Sequence, residues 1–171
     1  MRIKQTINNK VNSFEFYCDL TKNNRLNKIL ELFQIDNAYV CLYGFDDKNR
    51  FNEIKTKIKI NNIFLPSHKK NILPDLTLDI DVNEIPKLFS IINNDFDELV
   101  IWNKEEDWNE FIEILNKPIP CFTFFKTEPK KTNEFYLDFI VSDFNRVLII
   151  SDLSFHNSKY ITKENMIDLI V

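Results

Sequence analysis

Apolar and polar residues alternate early in the chain: in "SFEFYCD", Phe14, Phe16 and Cys18 fall on one side, the period of a half-buried strand. "TKNNRLNKILELFQ" then places Leu26, Ile29, Leu30 and Phe33 at helical spacing, with Asp19 or Thr21 available to cap the start. "NAYVCLYG" predicts a second strand. In "NEIKTKIKI", Ile54, Thr56, Ile58 and Ile60 alternate with Lys55, Lys57 and Lys59, which predicts a strand with an apolar face and a lysine face. A loop, "LPSHKKNILP", precedes a short strand, "DLTLDID".

"VNEIPKLFSIINN" repeats the helical stripe with Ile85, Leu88, Phe89 and Ile92, and Pro86 is tolerated in its first turn. "DELVIW" predicts a strand. In "WNKEEDWNEF" and beyond, Trp108, Phe111, Ile112 and Leu115 share a helix face, with Asn103 and Glu106 spaced as a capping box. "IPCFTFF", "EFYLDFIVS" and "RVLIIS" predict strands, the last two a hairpin through "DFN". Phe135, Leu137, Phe139 and Val141 form its inward row, with Glu134, Tyr136 and Asp138 outward. "TKENMIDLIV" predicts a closing helix.

The pattern predicts one α+β domain over residues 1–171, a mostly antiparallel mixed sheet packed by three to four helices. "FEFYCDL", helix, "AYVCLY" and "LTLDIDV", helix, "ELVIW" share an order that a duplicated β-α-β unit would explain, although such short elements also recur by chance.

Composition narrows the chemistry. Gly44 is the only glycine in 171 residues, which argues against the glycine-rich loops that let a backbone approach a phosphate. The abundant asparagine, isoleucine and lysine match an AT-rich coding sequence and lend individual asparagines little weight. Cys18, Cys41 and Cys121 are odd in number and lie in strand-like segments, as buried reduced thiols do. No apolar core follows "MRIKQTINNK" and no long apolar run occurs, so a cytoplasmic location without membrane contact is expected.

Charge is the informative feature. From Asp75 to Glu113, twelve acids face only Lys87 and Lys104, a net −10 in a chain of −4; residues 48–70 carry seven basic residues against Glu53. On a helix, Glu106, Glu110 and Glu113 lie within about 60° of one another, opposite the apolar stripe. First-turn acids suit the helix dipole, whereas Glu110 and Glu113 lie beyond that favourable zone if the helix starts near Asn103. The cluster reads either as a solvated face or as a surface for a basic partner, and Lys55, Lys57 and Lys59 could instead neutralise it from within. Trp102 is a core residue on this reading, with a partly exposed binding anchor as its alternative. The lysine row guards an edge strand more readily than it binds nucleic acid, since pI is near 5.3 and no recognition motif accompanies it.

Other chemistry is thin. His68 and His156 could form an acid–base pair, but their surroundings are generic loop residues. Asp75, Asp79 and Asp81 share a strand face and offer oxygen ligands for magnesium or calcium, although no calcium loop or nuclease motif accompanies them. No cofactor is expected.

With its size, composition, mixed β/α order and acidic stretch "NNDFDELVIWNKEEDWNEFIEI", the chain resembles bacterial toxin-immunity proteins of the contact-dependent-inhibition and polymorphic-toxin type. That resemblance lies in the style of the whole chain and carries over no family residue. It implies a non-catalytic cytoplasmic inhibitor that covers the groove of a basic nuclease with acids. The expected docking residues are Asp95, Asp97, Glu98, Glu106, Glu110 and Glu113. Alternatives are a metal-dependent nuclease or hydrolase using Asp75, Asp79 and Asp81, and a scaffold or small-ligand module.

Overall fold

Two rows of apolar side chains on opposite faces of one sheet organise the molecule. A computed structural model describes residues 2–67, 73–93, 95–103, 107–116, 135–155 and 157–171. The strands are β1 (Lys4–Ile7), β2 (Val11–Tyr17), β3 (Asn37–Tyr43), β4 (Ile60–Phe64), β5 (Leu76–Asp81), β6 (Glu98–Asn103), β7 (Phe135–Ile140) and β8 (Arg146–Asp152). They form an eight-stranded sheet in the order β1-β2-β8-β7-β6-β3-β5-β4, and every neighbouring pair is antiparallel. The helices are α1 (Arg25–Leu32), α2 (Lys48–Lys57), α3 (Ile85–Ile92), α4 (Trp108–Leu115) and α5 (Lys163–Ile170).

Period two sends Phe14, Phe16, Ala38, Val40, Leu42, Leu78, Leu99, Ile101, Leu137 and Ile149 to one face, where they meet Leu26 and Ile29 of α1, Ile54 of α2, Leu88 of α3 and Met166 of α5. This is the main core. The opposite face carries Tyr39, Cys41, Val100, Trp102 and Tyr136, covered by Phe111 and Leu115 of α4. Phe111 stacks on Tyr39 with ring centroids 4.5 Å apart and meets Trp102 edge-on at 6.2 Å. Trp102 is therefore core, only 7% exposed. The chain is a single α+β domain, with five helices among the described residues rather than three to four and a sheet antiparallel throughout.

Both candidate β-α-β units have parallel strands. β2 and β3 are separated by β8, β7 and β6, while β5 and β6 enclose β3. Both connecting helices bury their apolar stripe in the same core.

Several local expectations change. "NEIKTKIKI" does not form a strand: Lys48–Lys57 is helix α2. Ile54 and Ile58 are four apart and fit a helix as well as a strand, but Phe51, three before Ile54, joins them only on a helix face, and Asp47 starts that helix by accepting from the Asn49 and Arg50 amides. Thr56 is accordingly exposed instead of facing the core. Neither Asp19 nor Thr21 caps α1. Asn24 occupies the cap position with a left-handed backbone and no side-chain cap bond, while Asp19 accepts from the Thr21 amide and hydroxyl.

Asn103 does not cap α4. It ends β6, buried, with its side-chain oxygen accepting from the Phe135 amide at 3.0 Å. Asp107 starts the helix instead, bonding the Asn109 and Phe111 amides. Tyr136 and Asp138, expected outward, are buried on the second face. The "IPCFTFF" strand, Glu134, Cys121, His68 and His156 lie outside the described residues; Cys18 and Cys41 are buried and neither is in a disulfide. Among the described residues, no helix is long and apolar enough to cross a membrane.

Candidate functional site

The tight exit from β3 builds an acidic rim. Gly44 turns the chain with φ +69° and is exposed, leaving its backbone open to close approach. Asp97 fills that space: a Cβ at Gly44 would lie 2.8 Å from the Asp97 Cβ and nearer still to its carboxylate. The Asp97 backbone is held on both sides, its amide donating to Tyr43 O at 2.9 Å and its carbonyl accepting from Val141 N at 2.9 Å.

Asp46, Asp47, Asp95 and Asp97 thus line one depression of about 410 Å³, together with Gly44 and Phe96. Arg50 is the cation beside them, ion-paired with Asp95 and with Nε 3.5 Å from Asp47. Its Nη1 also donates to Ile92 O at 2.8 Å, which ties the start of α2 to the end of α3. Four carboxylates stand against the single guanidinium of Arg50 in this group, which leaves it formally negative.

The six expected docking residues do not form one patch. Asp95 and Asp97 lie at the rim. Glu98 is half-buried on the second sheet face, level with Tyr43 and Ile140. Glu110 and Glu113 are exposed on α4, over the Tyr39–Trp102 end of the sheet. Four residue steps along β6 lead from Glu98 to Trp102, roughly 13 Å along an extended strand. Glu106 lies outside the described residues. Because α4 starts at Trp108, Glu110 belongs to its first turn and faces the positive end of the dipole.

Lys55, Lys57 and Lys59 lie elsewhere. Lys57 pairs with Glu53 at 2.5 Å, Lys55 sits 4.7 Å above the Phe51 ring, and the Lys59 amide donates to Glu84. About 15 Å of helix carries them away from the Asp47 end of α2.

Asp75, Asp79 and Asp81 have separate engagements. Asp75 accepts from the Phe45 amide at 3.0 Å, buried Asp79 from the Asn62 side chain at 2.9 Å, and Asp81 from the Asn83 amide at 2.8 Å. Among the described residues, no three His, Cys, Asp or Glu side chains come together to hold a metal ion.

The acid that sequence reasoning missed most completely is Asp138. It stands on the second face, 6% exposed, beside Glu98. Burial, then the Glu98 charge and its hydrogen bond, push the Asp138 carboxyl up to about 8, against the opposing pull of Arg146 and Tyr136. Burial raises Glu98 too, and the hydrogen bond with Asp138 opposes that rise. Arg146 meanwhile holds Glu15, with Nε and Nη2 each 2.9 Å from the same oxygen. Asp46, Asp47 and Arg50 were also missed as neighbours of Asp95 and Asp97. The signal was "GFDDKNR", an acidic pair between the only glycine and a helix start.

These features define an α+β protein with an acidic rim at one end of its sheet. No family model matches the chain, no curated protein matches it, and no solved structure matches it.

Proposed function

We propose that the protein is a non-catalytic cytoplasmic inhibitor that binds and neutralises a basic protein, in the manner of a toxin-immunity protein. The observation that carries this reading is the convergence of Asp46, Asp47, Asp95 and Asp97 around Gly44 with Arg50 as their neighbouring cation. A nuclease must attract phosphates and so presents a positive groove. Carboxylates held by a helix cap, a strand start and a tight turn occupy such a groove with little ordering entropy lost. Glu110 and Glu113 form a second, separate acidic patch.

The metal-dependent nuclease or hydrolase reading has weaker support, because Asp75, Asp79 and Asp81 each serve a different local partner. A small-ligand module would require polar groups converging on an apolar pocket, whereas the depression at Gly44 is mainly carboxylate-lined.

The test is to identify the proteins encoded on either side of this gene and to co-express the chain with the C-terminal domain of any large secreted one. Protection of the cells, lost on Asp97→Lys in a folded variant, is the expected outcome. Absence of protection by the wild type, with no basic protein co-purifying, would sink the reading.

A further inference from the structure

Beside the acidic depression runs a groove of about 590 Å³, and Asp46 and Asp47 border both. Its lining includes Phe45, Phe51, Leu65, Pro66 and Leu76. Phe45 and Leu76 are buried, Phe51 is half-buried, and Leu65 is 47% exposed. Among the described residues, Asp46, Asp47 and Asp75 contribute negative charge to the lining, against Lys48. Asp75 also accepts from the Phe45 amide and holds that loop in place.

The combination restricts the occupant. A purely apolar ligand would strip water from the bordering carboxylates and add nothing to the bonds that Asp47 and Asp75 already accept, which is costly. A purely cationic segment would leave Leu65 and Phe51 uncovered. A large apolar side chain flanked by cations satisfies both features, and apolar anchors beside charge-complementary contacts often dominate protein interfaces. The volume suits such an anchor with part of its flanking chain.

We propose that this groove receives a large apolar side chain, flanked by lysine or arginine, from the basic partner. Its cations meet Asp46, Asp47 and Asp75 while its anchor covers Leu65 and Phe51. The inference rests on the acidic-rim reading and adds an apolar determinant that charge alone does not require.

The test uses the full chain and a fluorescent lysine-rich peptide containing phenylalanine. Its controls are an analogue with each phenylalanine replaced by alanine and another with each lysine replaced by glutamine. The expected result is that the phenylalanine peptide binds on the order of tenfold more tightly than the alanine analogue. The glutamine analogue should bind worst. Leu65→Asp separates the mechanisms because it adds a carboxylate while removing apolar surface at an exposed position. It should abolish the phenylalanine advantage and leave the protein folded by circular dichroism.

Equal binding of the phenylalanine and alanine peptides, both strengthened by Leu65→Asp, would overturn the groove while leaving the acidic rim standing. No binding by any lysine peptide would overturn both.

Discussion

Gly44 and Asp97 occupy one space: the glycine's missing side chain is where the aspartate carboxylate rests. Fifty-odd residues separate them in sequence, and the Asp97 amide bond to Tyr43 O, 2.9 Å long, keeps them together. The contact explains why this position accommodates glycine when other left-handed positions in the chain do not need it. Asn23, Asn24, Gln34, Asn93, Phe144 and Asn145 also have positive φ. Four of them are asparagine, which tolerates that region by local hydrogen bonding.

Gly44→Ala should therefore destabilise the protein by about 2 kcal/mol, through backbone strain and a clash with Asp97. Asp97→Gly in the same chain should restore part of that loss, because the two substitutions act on one contact. Urea denaturation of the single and double variants measures it. Strict additivity would mean that the contact is not the source of strain.

The Glu98–Asp138 pair makes stability depend on pH with a definite sign. Asp138 is raised from 3.8 to about 8 in the folded protein, so between those values the folded state holds a proton that the unfolded state has released. Its contribution is fully present below the unfolded value and is lost as pH rises through about 8. Asp138→Asn should flatten that loss, and Glu98→Gln should move its upper end to lower pH by removing the neighbouring charge. Chemical denaturation across this window, with carboxyl NMR titration, provides the measurement. An unchanged slope in Asp138→Asn would assign it to another group.

Loss of the Asp47 cap should cost about 1 kcal/mol in Asp47→Ala, since two α2 amides lose their acceptor. Asp47→Asn should recover most of that stability, whereas Asp47→Lys should not. Thermal melting of the three variants tests the ranking. If Asp47→Ala matched the wild type, the cap would not be what commits Lys48–Lys57 to helix.

Phe111→Ala should cost about 3–5 kcal/mol, because it empties the contact of α4 with Tyr39 and Trp102. Amide exchange should rise first in α4, since the main core on the other face is untouched. Uniform acceleration across all five helices would show that the two cores unfold as one unit.

For partner binding, reversing Asp97 should slow association by about tenfold at low salt, while Glu110→Lys with Glu113→Lys should have a smaller effect. Stopped-flow association at two salt concentrations distinguishes the patches. The opposite ranking would move the docking surface from the rim to α4.

The sequence by itself determined the elements whose patterns admitted one period. Phe14 and Phe16, the stripe of α1 and the hairpin strands β7 and β8 are where alternation or helical spacing puts them. The closing helix predicted over "TKENMIDLIV" also forms, and the structure adds the capping box of Thr162 and Asn165 at its start. Where two periods fitted the same residues, tertiary structure decided. Ile54 and Ile58 serve a helix as well as a strand, and the Asp47 cap and the available core face settle that choice.

The same holds for charge. A run of acids is legible along the chain, but a sheet carries residues several ångströms apart per step and turns alternate side chains to opposite faces. It therefore separated Asp97 from Glu113, buried Asp138 beside Glu98, and brought Asp46 and Asp47 to the rim. Linear proximity could not report these distances, because they are set by strand order and register.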